Sequence, residues 1–396
     1  MRDQTCCVKV PAISEDGFAS LAIATHRAST IPFPDATAYQ NRASRAPDGY
    51  SYGLAGTPTT RALEAQISAL EGGARTALLP SGQGAVMIAI LALLSRGEQL
   101  LLPDSVYPPA RQLAVQDLAR YGIETSFYDP CSITDLASKI TPATRMVWIE
   151  SPGSTTMEVQ DFRAIADLAH TNRALVGCDN TWATPLNFKP IQHGADLVVE
   201  ALTKYFAGHS DVLMGSITTA DGQVGVRIKQ TMSRFGLGVS PDDCALVLRG
   251  IQTMHVRLRH VAAVSLRLAE WLARQPVVTQ VLHPALPGAP GHELWRRDFL
   301  GASGVFSLVL KPEAAAHLNP ALDKLRTFAI GASWGGTHSL LAPMDVATSR
   351  SLPRPGAPTT YLRVSIGLEA EEDLLADLET LCAELTRRTS AETEAG

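Results

Sequence analysis

The stretch Thr76–Asp104, TALLPSGQGAVMIAILALLSRGEQLLLPD, contains a complete structural unit. A short apolar run, TALL, leads into a Ser-Gly turn. A helical pattern, GAVMIAILALLSRG, follows, and a second apolar run, EQLLLPD, closes the stretch. Strand, turn, helix and strand at this spacing predict a crossover between two parallel strands. The alternation continues outward on both sides. Helical RALEAQISALEGG precedes it from Arg61, and helical ARQLAVQDLARYG and strand-like IETSFYDP follow. Beyond these come helical ITDLASKI, strand-like RMVWIESP, helical DFRAIADLAHTNR, and strand-like ALVGCDN and DLVVEALT. Repeated right-handed crossovers make an α/β fold, a mostly parallel sheet between helices, whose ligands collect at the carboxyl ends of the strands.

Three regions are predicted. Residues 1–56 contain many small residues and prolines with little periodicity, and read as an extended N-terminal arm. Residues 57–249 form the large domain. A long helical pattern, CALVLRGIQTMHVRLRHVAAVSLRLAEWLARQ, leads into a smaller C-terminal α/β domain, 250–396. There GVFSLVL and YLRVSIGLE are strand-like, PALDKLRTF and DLLADLETLCAELTRRT helical, and the last residues, SAETEAG, are expected to be disordered. The leucine stripe of the long helix is expected in the core.

Composition narrows the function. A chain of 396 residues, 45% hydrophobic and 18% charged, is long enough to bury more than one core. A net charge of -5 provides no basic field for nucleic acid, and no block of like charge suggests a membrane surface. GAVMIAILALL is too short to span a bilayer, and MRDQTCCVKV lacks the apolar core of a secretory signal, so the cytoplasm is expected. Six scattered cysteines, only Cys6 and Cys7 adjacent, lack metal-ligand spacing and read as reduced thiols. Small-molecule chemistry is favoured.

Lys204 lies in VVEALTKYFAGHSD, Val198–Asp211, after a β-branched run and before a polar turn. A single lysine at a strand end is ordinarily a solvated charge. Three other features change its reading. PSGQGAV opens a helix, so Gly82 and Gln83 can offer backbone N–H groups and the positive end of a helix dipole to a phosphate. Asp179 ends a buried strand in VGCDNTW, where a carboxylate can pair with a cationic ring nitrogen. Tyr107, in DSVYPPA, leaves another strand and can stack on a flat ring. A phosphate cradle, a stacking aromatic, a carboxylate and a lysine are together what a pyridoxal phosphate site requires.

The stretches YGLAGTPTTRALEAQISALEGG, PSGQGAV, DNTWATPLNFKP, VEALTKYFAGHSDVLMGS and YLRVSIGLE resemble the Cys/Met-metabolism family of pyridoxal phosphate enzymes. The resemblance runs from about Gly49 to the terminal helix. WIESPGSTTMEVQD and ASWGGTHSLL, above all the tryptophan of SWGG, are similar to its cystathionine β-lyase branch. The resemblance implies the fold-type I architecture, with 57–249 binding the cofactor. The implied activity is that of a carbon-sulfur β-lyase converting L-cystathionine to homocysteine, pyruvate and ammonia, possible on other cysteine S-conjugates too. The alternatives are a γ-lyase, γ-synthase or methionine γ-lyase of the same family, and a cofactor-binding regulator.

By the same resemblance, Lys204 would carry the cofactor and take the substrate Cα proton, with Thr203 beside the phosphate. Asp179 would face the ring nitrogen, Gly82 and Gln83 would hold the phosphate, and Tyr107 would stack on the ring and assist proton movement. Tyr52 would reach the phosphate of a neighbouring subunit, which implies at least a dimer, and the resemblance further implies a homotetramer, a dimer of dimers. Arg363 would clamp the substrate carboxylate through two hydrogen bonds, with Ser333 and Trp334 lining the same pocket. Four positions depart from the family pattern. Leu54 stands where a second phosphate-binding arginine is usual, a loss that Arg61 could offset. Gln112, Thr337 and His338 alter the half of the pocket that takes the leaving group. His209 and Cys178, close to the site in sequence, are expected to be structural.

Overall fold

The computed structural model describes residues 16–352, 356–358 and 360–395, the last five as backbone only. Cys6, Cys7 and Gly396 lie outside the described residues. The first sheet has seven strands: β1 (Arg75–Leu79), β2 (Gln99–Pro103), β3 (Glu124–Tyr128), β4 (Thr144–Glu150), β5 (Leu175–Asp179), β6 (Leu197–Glu200) and β7 (Gly215–Thr219). Their order is β1-β7-β6-β5-β4-β2-β3. β7 runs antiparallel to both neighbours, while the pairs β6–β5, β5–β4, β4–β2 and β2–β3 are parallel. The sheet is thus mostly parallel, as the alternation predicted, and the ends of β2, β4, β5 and β6 lie side by side along one edge.

The apolar pattern did not reveal β7 or the helix Gly222–Phe235 that follows it. GSITT is buried throughout, yet small and polar. Its two threonine hydroxyls are hydrogen-bonded, Thr218 Oγ1 pairing with Thr76 Oγ1 at 2.9 Å and Thr219 Oγ1 donating to Asp221 O at 2.9 Å. Burial without apolar side chains leaves no hydrophobic period to read.

The helix predicted over ARQLAVQDLARYG is broken. Pro108–Gln112 is α-helical, Leu113–Asp117 forms a wide π-type turn, and Leu118–Tyr121 a tight 3₁₀ turn. A widened turn frees backbone carbonyls, and Thr125 Oγ1 of β3 donates to one of them, Ala114 O, at 3.3 Å.

The second sheet has five strands: β8 (Val278–Leu282), β9 (Val305–Leu310), β10 (Ala329–Ile330), β11 (Leu340–Asp345) and β12 (Thr360–Ser365), in the order β10-β11-β12-β9-β8. Only β9 and β12 were legible in the sequence. β8, with two exposed residues in five, and the two-residue β10 carry too little apolar pattern. The long helix runs Pro241–Leu272 and buries Val247, Leu258, Val264 and Leu268, the stripe expected in the core. PALDKLRTF yields only the short helix Leu318–Leu322. The terminal helix, Glu371–Ala395, continues through the segment expected to be disordered, because a nucleated helix extends at little cost per residue. Residues 16–35 form no helix or strand, and residues 36–56 hold only short turns of helix.

Gly215, the first residue of β7, packs directly on the Ser-Gly turn. A Cβ there would lie 2.7 Å from Ser81 C and 2.8 Å from Gly82 Cα, both main-chain atoms that cannot swing aside. Gly215→Ala should therefore cost about 1–3 kcal/mol, measured as a lowered urea midpoint.

Candidate active site

The site forms where the carboxyl edge of the first sheet meets β12 and the loop before β11. Lys204 lies four residues beyond β6, its turn closed by hydrogen bonds from Lys204 N to Ala201 O (3.0 Å) and from Gly208 N to Lys204 O (2.7 Å). Its ammonium donates to Ser333 Oγ and sits 5.1 Å from the centre of the Trp334 ring. Burial, and then the nearby Arg363 guanidinium, push the amine down to about 8, while Asp179 acts in the opposite sense. A desolvated lysine of this kind has a larger share of free base near neutral pH than an exposed one.

Ser333 links two halves of the site. Its hydroxyl accepts from Lys204, and its carbonyl accepts from Arg363 Nη2 at 3.1 Å. Its φ of 77° places a non-glycine residue in the left-handed region, a conformation that costs of the order of 1–3 kcal/mol and persists where surrounding contacts impose it. Arg363 occupies β12, opposite Ala342 of β11 and Ser307 of β9. Trp334 packs at 5.5 Å from the buried Tyr205 ring, whose hydroxyl accepts from Gly304 N at 2.9 Å.

Asp179 ends β5. Thr181 donates to its Oδ1 twice, from N at 3.0 Å and from Oγ1 at 2.6 Å, while Oδ2 has no partner among the described residues. Burial raises its pKa, and the hydrogen bonds from Thr181 and the charge of Lys204 oppose that rise. Tyr107 begins the loop into Pro108–Gln112; burial, Asp179 and Glu150 raise its phenol pKa, and Arg363 lowers it. The sequence reading did not single out Glu150. It ends β4 in register with Asp179, and its Oε2 accepts from Tyr107 N at 2.7 Å. The available signal was that WIE closes a buried strand with a carboxylate, as GCD does one strand later.

The residues around the Ser-Gly turn suit a bound phosphate. Gly82 and Gln83 open the helix Gly82–Leu93, capped by Ser81 Oγ on Gly84 N at 3.0 Å. Their own N–H groups are those a helix leaves without an intrahelical acceptor. A Cβ on Gly82 would lie 2.7 Å from Ala201 Cβ, so only glycine lets this turn approach the Lys204 turn. Gln83 Nε2 donates to Pro109 O at 3.0 Å, and its buried Oε1 has no partner. Thr203, expected beside the phosphate, uses its hydroxyl on Met214, accepting from N at 3.0 Å and donating to O at 3.2 Å.

The other expected residues have these surroundings. Tyr52 is 52% exposed on the arm, its hydroxyl accepting from Ser29 Oγ at 3.2 Å. Leu54 is also exposed, and Arg61 is occupied by Glu64 and by the carbonyls of Asp48, Pro47 and Ala55. Gln112 and His338 are exposed, and Thr337 Oγ1 lies 3.1 Å from His338 Nδ1. His209 Nδ1 is bonded to Ala207 O at 2.7 Å. Cys178 is buried, with its thiol pKa raised well above the usual value, and the four described cysteines form no disulfide. No described helix is long and apolar enough to cross a membrane.

These surroundings set a titration. In cofactor-free protein, modification of Lys204 by an amine-reactive reagent should rise with pH through about 8, followed by peptide mass. Arg363→Met removes one of the causes that lower the amine, so the same curve should shift to higher pH.

Residues 4–382 match the family described as Cys/Met metabolism PLP-dependent enzyme. Cystathionine β-lyase MetC of Escherichia coli (strain K12) is 38% identical over 360 residues, covering 89% of this chain and 91% of the relative. The L-alanine/L-glutamate racemase of Wolbachia pipientis wMel is 37% identical over 398 residues, covering 97% and 98%. The crystal structure of metB from Corynebacterium glutamicum superposes with a TM-score of 0.86 at 28% identity, covering 93% of this chain and 94% of that one. With a helix-capped cradle, a strand-end carboxylate and a desolvated lysine already gathered at one sheet edge, the match over nearly the whole length has a physical basis: the chain belongs to the Cys/Met-metabolism family of pyridoxal phosphate-dependent enzymes.

Proposed function

We propose that this protein is a carbon-sulfur β-lyase that cleaves L-cystathionine to homocysteine, pyruvate and ammonia, and also accepts smaller cysteine S-conjugates. The observation that carries this reading is the double hydrogen bond at Ser333, which holds the Lys204 ammonium by its hydroxyl and the Arg363 guanidinium by its carbonyl. A carboxylate clamp and a proton acceptor are thereby fixed on either side of one residue, as an α-amino acid substrate requires. Trp334 beside them, and the 38% identity to a cystathionine β-lyase, support elimination at Cβ.

Bound pyridoxal phosphate supplies the electron sink for the charge left at Cα when its proton is removed. Gly82 and Gln83 would bind its phosphate, Asp179 would keep a proton on its ring nitrogen by its negative charge, and Tyr107 would stack on its ring. Lys204 would hold the cofactor in the resting protein, and its free Nζ would take the substrate Cα proton. Arg363 orients the substrate through its α-carboxylate, and Ser333 keeps Arg363 and Lys204 aligned. The Cβ–S bond breaks with its electron pair on sulfur, leaving as a thiolate that takes up a proton. Water then hydrolyses the released three-carbon product to pyruvate and ammonia. Thr203 braces the Lys204 turn against Met214.

Tyr52, exposed on the arm, is assigned to the phosphate of a neighbouring subunit in a homotetramer, and a cytoplasmic setting goes with this reading. The relative with a racemase name favours one second reading, since racemisation also begins with removal of the Cα proton but returns it to the opposite face.

A panel of cysteine S-conjugates, scored for keto-acid product, tests the assignment. Cystathionine should give pyruvate and not 2-oxobutyrate, and L-alanine should yield no D-alanine at a comparable rate. S-alkylcysteines should fall within about a hundredfold of cystathionine in kcat/KM, because loss of one charged contact to the distal ammonium removes a preference of about 1.5–3 kcal/mol. Borohydride treatment followed by peptide mapping should place the pyridoxyl group on Lys204, and Lys204→Ala should abolish turnover.

A further inference from the structure

Tyr107 is poorly held by its own side chain. It is 42% exposed, and its hydroxyl has no hydrogen-bond partner among the described residues. Without a side-chain hydrogen bond to anchor it, this partly exposed ring depends for its position on the backbone that carries it.

That backbone is fixed on both sides. On one side Tyr107 N donates to Glu150 Oε2 at 2.7 Å. On the other, Pro108 and Pro109 restrict the chain, and Pro109 O accepts from Gln83 Nε2 at 3.0 Å, which ties the loop to the phosphate cradle. Glu150 is itself anchored. Its carbonyl accepts from Gln160 Nε2 at 2.8 Å, and Gln160 Oε1 accepts from the buried Tyr128 hydroxyl at 2.8 Å. Its strand pairs in register with β5, so it stands beside Asp179.

We propose that Glu150 is a positioning residue of this site: by accepting the Tyr107 N–H it sets the aromatic ring over the place where the cofactor ring stacks. The inference rests on the cofactor placement given above. It requires a hydrogen-bond acceptor at Glu150 and not a negative charge. Burial and the neighbouring Asp179 raise the Glu150 pKa well above the usual carboxylate range, consistent with a carboxyl that works as a neutral acceptor.

The test compares Glu150→Gln with Glu150→Met in cofactor-loaded protein. Gln keeps an acceptor of the same length, and Met fills the same volume without one. The primary readout is the visible circular dichroism of bound pyridoxal phosphate, which reports the asymmetric surroundings of its ring. Glu150→Gln should keep the wild-type spectrum and turnover. Glu150→Met should alter the spectrum and lower kcat/KM by up to about 100-fold, the effect of misplacing a reacting group by about 1 Å. Glu150→Ala serves the same comparison if Met overpacks. Two results would overturn the proposal: a wild-type spectrum in the variants lacking the acceptor, or equal damage in Glu150→Gln, which would assign the role to charge. Borohydride labelling of the wild-type protein separates the two levels, because absence of label at Lys204 sinks the cofactor placement, whereas label at Lys204 with unchanged spectra sinks only the role of Glu150.

Discussion

Four neighbouring strands, β2, β4, β5 and β6, each deliver a carboxylate to the same edge: Asp104 just after β2, then Glu150, Asp179 and Glu200 at the ends of the other three. Parallel strands joined by right-handed crossovers cannot avoid bringing their ends together. Burying four acids in a row is tolerable only if each is neutralised or hydrogen-bonded. Asp104 is met by Arg111 Nη1 at 3.1 Å and by Ser351 N and Oγ, both at 2.9 Å. Glu150 receives the Tyr107 N–H. Glu200 receives Asn180 Nδ2 at 3.1 Å and faces the buried Glu71, whose pKa burial raises to about 8, so the pair retains a proton at neutral pH. Among the described residues Asp179 Oδ2 and Glu200 Oε2 have no hydrogen-bond partner; Glu200 lies against Glu71, so Asp179 is the acid proposed to face a cationic ring.

The same arrangement ties the C-terminal sheet to the first. Arg350 donates to Asp104 O, Ser154 O and Thr156 Oγ1, while Ser351 and Leu352 bond the Asp104 carboxylate. The loop that leads to Tyr107 is therefore held by a segment lying between β11 and β12, and β12 carries Arg363. Trp182 Nε1, from the loop after Asp179, donates to Val305 O at 3.0 Å and makes a second bridge. Arg363, proposed to bind substrate, and the residues proposed to bind the cofactor come from separate sheets, so their relative position depends on polar contacts of this kind. A buried network is stiff when fully satisfied and costly when one member is removed.

Sequence and structure divided the work along a physical line. Local chemistry was legible without coordinates: the Ser-Gly turn before an apolar helix, the carboxylate ending GCD, the tyrosine before two prolines and the lysine after VVEALT each stand out through neighbours in the chain, and the fold gathers them at one sheet edge. The parallel sheet was legible as well, because alternating strands and helices leave few other topologies. What lacked a hydrophobic period was missed, as with the small polar β7 and the short β10.

Long-range contacts could be settled only by folding. Glu150 resembles any strand-end acid until register sets it beside Asp179 and under the Tyr107 N–H. Ser333 resembles any loop serine until its hydroxyl meets Lys204 and its carbonyl meets Arg363, 129 and 30 residues away in sequence. Thr203 and Arg61 show the converse, residues whose type suits a phosphate but whose polar atoms the fold directs to Met214 and to the carbonyls around Asp48. A sequence fixes which groups are available and what each can do within a few residues. Which of them share a proton, a hydrogen bond or a charge is decided by the sheet that brings distant strand ends to one edge, since such interactions fall off within a few ångströms.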